Sequence, residues 1–370
     1  MDIKIRHAKT QRMEHCSRGK KMKKKLLILI TTLSVFLCLS CRRKEHIDTL
    51  TYAVFPHLPD SEYYQELIEQ RWKEIEPDIR LIRKDWDCYY DGAPDGIDVI
   101  MYDAVMLNAL IDAGWIQPID RNNVQSSEDI FPFALDGLTM DGKLYGIPVF
   151  LCGNFLIYDR SCTDLAAAEH FTDFSDKAEI LVINSEDDFN RKEYAAETLA
   201  DIQGIANPVP EGDPDETVSL IDQLAIEKHK NDSDEEVAAA YDSGIGKGYI
   251  GYSESLRYLN GRLEDTDIKS ISFSDRENVL RLYTDAAVLT AGVEGQRREK
   301  ALELMNVMAD SAILSALSLQ EGKPQYLLIA RKSLYADLIE EYPIYSRLEE
   351  LAADQNNHVI VDSKSNRQSE

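Results

Sequence analysis

From Thr49 to Glu341 the chain alternates short apolar runs with stretches where apolar residues recur every three or four positions. Thr49 to Phe55 reads as a strand closed by Pro56 and Pro59. Tyr64, Leu67, Ile68, Trp72 and Ile75 predict a helix over Ser61 to Glu76, with Asp60 as its N-cap. Ile79 to Arg83 and Ile97 to Met101 are further strands, the second apolar enough to be buried. Ala104 to Ala113 is a short helix ending at Gly114, and Leu144 to Pro148 and Phe150 to Tyr158 are extended. In the middle, Ile180 to Asn184 reads as a strand, and Arg191 to Ile205 and Thr217 to His229 as helices. Asn207 to Pro214 is a Pro-rich acidic loop and Lys230 to Glu236 a charged one. Gly248 to Tyr252 and Val279 to Leu289 are strands. Helices follow over Glu299 to Ala309, Ser311 to Leu319 and Lys332 to Glu341, with Gln325 to Ile329 extended. Strands alternating with helices predict an α/β protein with parallel sheets.

This order resembles the type II periplasmic-binding-protein architecture: two α/β lobes around a central cleft, joined by two crossings near 146–158 and 280–290. It divides the chain into a leader (1–41), a discontinuous first lobe (48–150 plus 286–354), a second lobe (151–285) and a polar tail (355–370), disordered from Ser363. A length of 370 residues suits two lobes better than one core. The fold by itself does not choose between binding and catalysis.

The leader changes the reading of where the protein works. Lys20, Lys21 and Lys23 to Lys25 precede an apolar run, Leu26 to Leu39, of signal-peptide length. Ser40-Cys41 then offers a lipoprotein processing site with Cys41 as the lipidated residue, against simple secretion or an uncleaved anchor. The protein is therefore expected outside the cytoplasm, secreted or lipid-anchored, with the anchor as its membrane contact. The net charge is −25, and the first forty residues hold ten Lys/Arg and two Asp/Glu, leaving about −33 on the rest. Such a surface excludes a nucleic-acid partner and suits a cationic ligand. Of six cysteines, Cys88, Cys152 and Cys162 lie in the body, an odd number with no metal-ligand spacing.

Four stretches place reactive or aromatic groups at strand ends, where α/β lobes bind ligands. Asp85-Trp86-Asp87-Cys88-Tyr89-Tyr90 offers rings for stacking, or packing at a domain edge. Asp103 ends the third strand and reads on spacing as a cap for Ala104 onward, or as a carboxylate for an amino group. Cys152 lies in an apolar stretch at the first crossing; alone it reads as buried filler, and a nucleophile would need a base beside it. Glu254 follows an apolar strand, where desolvation would make it a base, or it is a surface residue beside a Ser253 cap. Tyr283-Thr284-Asp285 stands at the second crossing.

Taken together, ordered pieces of the chain resemble the bacterial type I thiaminases. They include Phe55-Pro56-His57-Leu58-Pro59-Asp60, Asp85-Trp86-Asp87, Tyr145-Gly146-Ile147-Pro148 running to Cys152, Ile250-Gly251-Tyr252-Ser253-Glu254-Ser255, Pro324-Gln325-Tyr326-Leu327-Leu328 and Tyr342-Pro343-Ile344-Tyr345-Ser346. The likeness runs from about Leu50 to Leu351, loosely over 160–240. It implies a transferase that displaces the thiazole of thiamine with an amine or thiol co-substrate, without a cofactor or metal; a monomer is expected, since nothing in the sequence suggests an interface. It implies Cys152 as nucleophile, Glu254 as its base, Asp103 and Asp285 as carboxylates holding the aminopyrimidine, and Tyr89, Tyr252, Tyr283 and Phe55 as cleft aromatics. Phe55 stands where the family pattern has Tyr, and Glu235 and Glu236 fall about where another cleft Tyr is expected, with Tyr241 nearby. The competing reading is a solute-binding lipoprotein that delivers thiamine or a pyrimidine to a transporter.

Overall fold

Two sheets carry the apolar runs of the chain. The computed structural model describes residues 47–210, 212 and 217–362; the leader, Cys41 and the tail from Ser363 lie outside the described residues. β1 (Thr49–Ala53), β2 (Arg80–Arg83), β3 (Val99–Asp103) and β4 (Ile116–Gln117) open the first sheet. A hairpin of β5 (Thr139–Met140) and β6 (Lys143–Leu144) leads to β7 (Ile147–Cys152), which joins it. β8 (Phe155–Asp159), β9 (Leu181–Val182), β10 (Gly248–Gly251) and β11 (Thr266–Lys269) form the second sheet in the order β11-β8-β10-β9. β12 (Arg281–Thr290) returns to the first sheet. After a second hairpin, β13 (Leu319–Gln320) and β14 (Lys323–Pro324), so do β15 (Leu328–Ile329) and β16 (His358–Val359). The first sheet runs β15-β7-β12-β3-β1-β2, and β4 and β16 also pair with β12.

The sheets are mixed, where the sequence pattern predicts parallel ones. β1 pairs with β2 and β3 in parallel, but β12 is antiparallel to β3, β4 and β7, and β8 is antiparallel to β10 and β11. The reversal follows from the two crossings: β7 leaves the first sheet in one direction and β12 re-enters it in the other. β12 is central, so its Ala286 to Leu289 run is fully buried, as are Val99, Ile100 and Met101 of β3. Each Val, Leu, Ile or Met among them contributes about 1.5–3 kcal/mol. Phe171, Phe174, Leu181, Tyr194 and Phe273 build a separate core under the second sheet.

Several elements differ from their predicted form. Asp60 occupies the N-cap position of the Ser61–Ile75 helix in a left-handed conformation, with no side-chain cap; its carboxylate accepts instead from Gln320 Nε2 at 3.1 Å. The stretch predicted helical from Thr217 breaks after Leu224: Ser219–Leu224 is helix, Ala225 is extended, and Glu227–His229 is one tight turn. The charged loop at Lys230 to Glu236 is instead the start of a helix, Asp234–Asp242, capped by Ser233. Residues 345–353 form a helix, and in the segment read as polar tail β16 pairs with β12 and buries Val359, Ile360 and Val361.

Candidate functional site

The chain leaves the first sheet at Gly153-Asn154, between β7 and β8. A Cβ on Gly153 would stand 3.0 Å from Leu282 Cδ2 and 3.3 Å from Arg281 O, so glycine lets the two crossings run side by side. The return crossing is pinned by buried Asp201, which accepts from the backbone N–H groups of Phe273 and Val279 at 2.7 Å each.

Strand register then assembles a site. β7 pairs with β12 so that Cys152 faces Tyr283, and β3 pairs with β12 so that Asp103 faces Asp285. Tyr283 and Asp285, two residues apart, share one face of β12. From the second sheet, β10 ends at Gly251 and delivers Tyr252 and Glu254 through the turn that follows. All eight residues proposed from the sequence (Phe55, Tyr89, Asp103, Cys152, Tyr252, Glu254, Tyr283 and Asp285) line one cavity of about 670 Å³.

Each wall has its own chemistry. Phe55 and Tyr89 form an aromatic wall, ring centres 6.0 Å apart. Asp103 is both things its position allows: Oδ1 caps Val105 N at 3.0 Å, while Oδ2 accepts from the Tyr89 hydroxyl at 2.7 Å. Burial raises its pKa, with these two donors pulling back. Asp285 is raised much further by burial, then by Asp103 and Glu254. Side by side, the two carboxyls cannot readily both ionise, so one is a proton donor and the other an acceptor. Burial lifts Glu254 to about 6, leaving it a carboxylate at neutral pH. Cys152 is driven well up by burial and then by Glu254, Asp285, Asp103 and Glu193, which favours the thiol.

The structure adds a residue the sequence reading missed. Glu193, on the Asp188–Gln203 helix, lines the same cavity and accepts from the Tyr252 hydroxyl at 2.6 Å and Asn154 Nδ2 at 3.2 Å. Burial raises it to about 7. Tyr90 and Phe189, 84% and 62% exposed, stand at the rim. Tyr241 does not fill the place of the missing cleft tyrosine: it is buried, bonded to Thr266 Oγ1 at 3.0 Å, with Arg262 over its ring. The cavity is thus acidic and aromatic, suited to a cation, with a thiol and a carboxylate among its lining groups.

No family model matches the chain. It is 30% identical over 371 residues to "Thiaminase-1" from Paenibacillus thiaminolyticus, covering 91% of this chain and 90% of that protein. The structure of Clostridium botulinum thiaminase I in complex with thiamin superposes with a TM-score of 0.78 at 29% identity, over 85% of this chain and 94% of that one. Maltose-bound T. maritima MalE3 shares the fold alone, at TM-score 0.62 and 11% identity over 86% and 90% of the two chains. The likeness to thiaminases thus exceeds what the binding-protein fold brings by itself, and at 30% identity it covers nine-tenths of the chain: the chain belongs to the type I thiaminase family.

Proposed function

We propose that the protein degrades thiamine by transferring its pyrimidinylmethyl group from the thiazole to an organic amine or thiol. The supporting observation is the meeting of Cys152 and Glu254 in one acidic, aromatic cavity with the Asp103–Asp285 pair. In this reading Asp103 and Asp285 hold the aminopyrimidine, one accepting from its amino group and the other donating to a ring nitrogen. The donation makes the ring electron-poor. Thiamine's own positive charge offsets the carboxylates that keep Cys152 protonated, and Glu254 removes the thiol proton. The thiolate adds to the ring carbon beside the one bearing the methylene, and the thiazole leaves as a neutral molecule. The second nucleophile adds to the methylene and the cysteine departs, a covalent exchange in two halves. Phe55, Tyr89, Tyr252 and Tyr283 stack on the substrate rings.

The same reading includes export through the Lys20 to Leu39 leader, with Cys41 as the lipid attachment point, and a monomer. It keeps the lobes divided near residues 150 and 286. Mass spectrometry of the purified protein incubated with thiamine and pyridine tests the activity. Free thiazole and a pyrimidinylmethyl-pyridinium product support it. Thiamine recovered intact in a stable complex replaces it with a binding protein on a thiaminase frame.

A further inference from the structure

The proposed exchange has a proton count that depends on the nucleophile. Thiamine carries one positive charge. Pyridine has no proton to lose, so its product is a pyridinium and the charge is conserved. A primary amine such as aniline becomes an ammonium on attack and must give up one proton. Glu254 holds the Cys152 proton until the C–S bond breaks, so it is not free to take the amine's proton while the N–C bond forms. Amine attack that sheds its proton as the bond forms therefore calls for a second acceptor.

The cavity holds one. Glu193 reaches it from the Asp188–Gln203 helix and is 7% exposed. Its donors come from the chain next to the thiol and its base. Tyr252 lies two residues before Glu254, Asn154 two after Cys152, and Tyr283, which also hydrogen-bonds to Glu193, pairs with Cys152 across the sheet. Asp103 and Asp285 are set apart, held against each other and Tyr89. One helical turn beyond Glu193 stands Glu197, also lifted to about 7, with its Oε2 3.6 Å from Arg281 Nη1; exposed Lys192 stands at the rim. Burial sets Glu193 near 7, a strength suited to a base at neutral pH.

We infer that Glu193 is the base of the second half-reaction, taking the proton of a primary amine as it bonds to the methylene. This rests on the transferase reading above. The amine lone pair forms the N–CH₂ bond and the exocyclic π pair returns to the ring. The ring C–S bond breaks with its electrons on sulfur, and Glu254 reprotonates the sulfur. One N–H proton passes to Glu193 and from there to solvent.

The test compares thiazole release with aniline and with pyridine, in wild type and in Glu193→Gln. The aniline-to-pyridine rate ratio falls about 10²-fold in the variant, the low end of what a positioned base contributes. An unchanged ratio overturns the inference, even if both rates drop together from misplaced packing. In Glu193→Ala, added acetate restores aniline transfer in proportion to its concentration and leaves pyridine transfer where it was; acetate that speeds neither or both overturns it as well. Wild-type protein that leaves thiamine intact with both nucleophiles takes down the underlying reading too, and that failure is visible without any variant.

Discussion

Cys152 sits under two opposing influences. Burial and surrounding carboxyls favour the thiol, and in the proposed reaction the charge of bound thiamine offsets the carboxylates. Cys152→Ser keeps the cavity and its charges. It is expected to bind thiamine in calorimetry while losing at least about 10³-fold in thiazole release, because a serine hydroxyl ionises far less readily. Retained turnover removes Cys152 from the mechanism. Glu254 gives a pH prediction. Its pKa lies above the ordinary carboxyl value at about 6, and the base must be unprotonated, so kcat/KM for thiamine falls about tenfold per unit as pH drops below about 6. A profile flat to pH 5 is incompatible with that role. These residues were legible because each ends an apolar strand in a recognisable order. Spacing favoured a cap for Asp103, and it does cap; what spacing could not reveal is that its other oxygen faces the cavity. Glu193 was invisible for a related reason. In sequence it is one acidic residue on a helix where the family likeness is loose, and only packing against Asn154, Tyr252 and Tyr283 sets it apart.

At the scale of elements, one misreading arose where a short-range polar contact outweighed composition. Lys230 to Glu236 looks like a solvated loop because of its charge. Yet Ser233-Asp234-Glu235-Glu236 is a capping box, in which the Glu236 carboxylate accepts from Ser233 N at 2.9 Å and the Ser233 hydroxyl accepts from Glu236 N. The signature lay in the sequence but the apolar face after it is short. Ser233→Ala should cost about 1 kcal/mol in urea unfolding. β10 makes a stronger case, since it carries Glu254 at its end. A Cβ on Gly248 would stand 2.8 Å from the Ile157 carbonyl of the paired strand. Gly248→Ala therefore forces β8 and β10 apart, with an expected loss of about 1–3 kcal/mol and a drop in thiamine turnover. Unaltered stability would mean that the pairing gives way without cost. Mixed pairing was unreadable in advance, because alternation of strands and helices does not record the direction in which β12 returns.

For the molecule as a whole, the buried carboxyls make stability depend on pH in a definite direction. Glu193 and Glu197 are raised to about 7, Glu254 to about 6, and Asp103 and Asp285 are raised as well, mainly by burial. A carboxyl whose folded pKa exceeds its unfolded value contributes stability in full below the unfolded value. It loses that contribution as pH rises through the folded one. Tm should therefore fall as pH is raised from about 5 to 8. The net charge of −25 pushes the same way through surface repulsion, but 0.5 M salt screens exposed charges and leaves buried ones largely untouched. The fall that survives salt belongs to the interior. Asp285 provides the check: burial, Asp103 and Glu254 all raise its pKa, so its charged form is disfavoured from each of these sources. Asp285→Asn is expected to raise Tm at pH 8 in high salt, flatten the pH slope and abolish thiamine cleavage together. Thiamine bound to Cys152→Ser should likewise raise Tm more at pH 8 than at pH 5.5, since a cation gains most where the carboxyls are ionised. If Asp285→Asn leaves the high-salt slope unchanged, the cleft carboxyls are not the source of it, and the acidity of the cavity would have to be borne by its open, hydrated side.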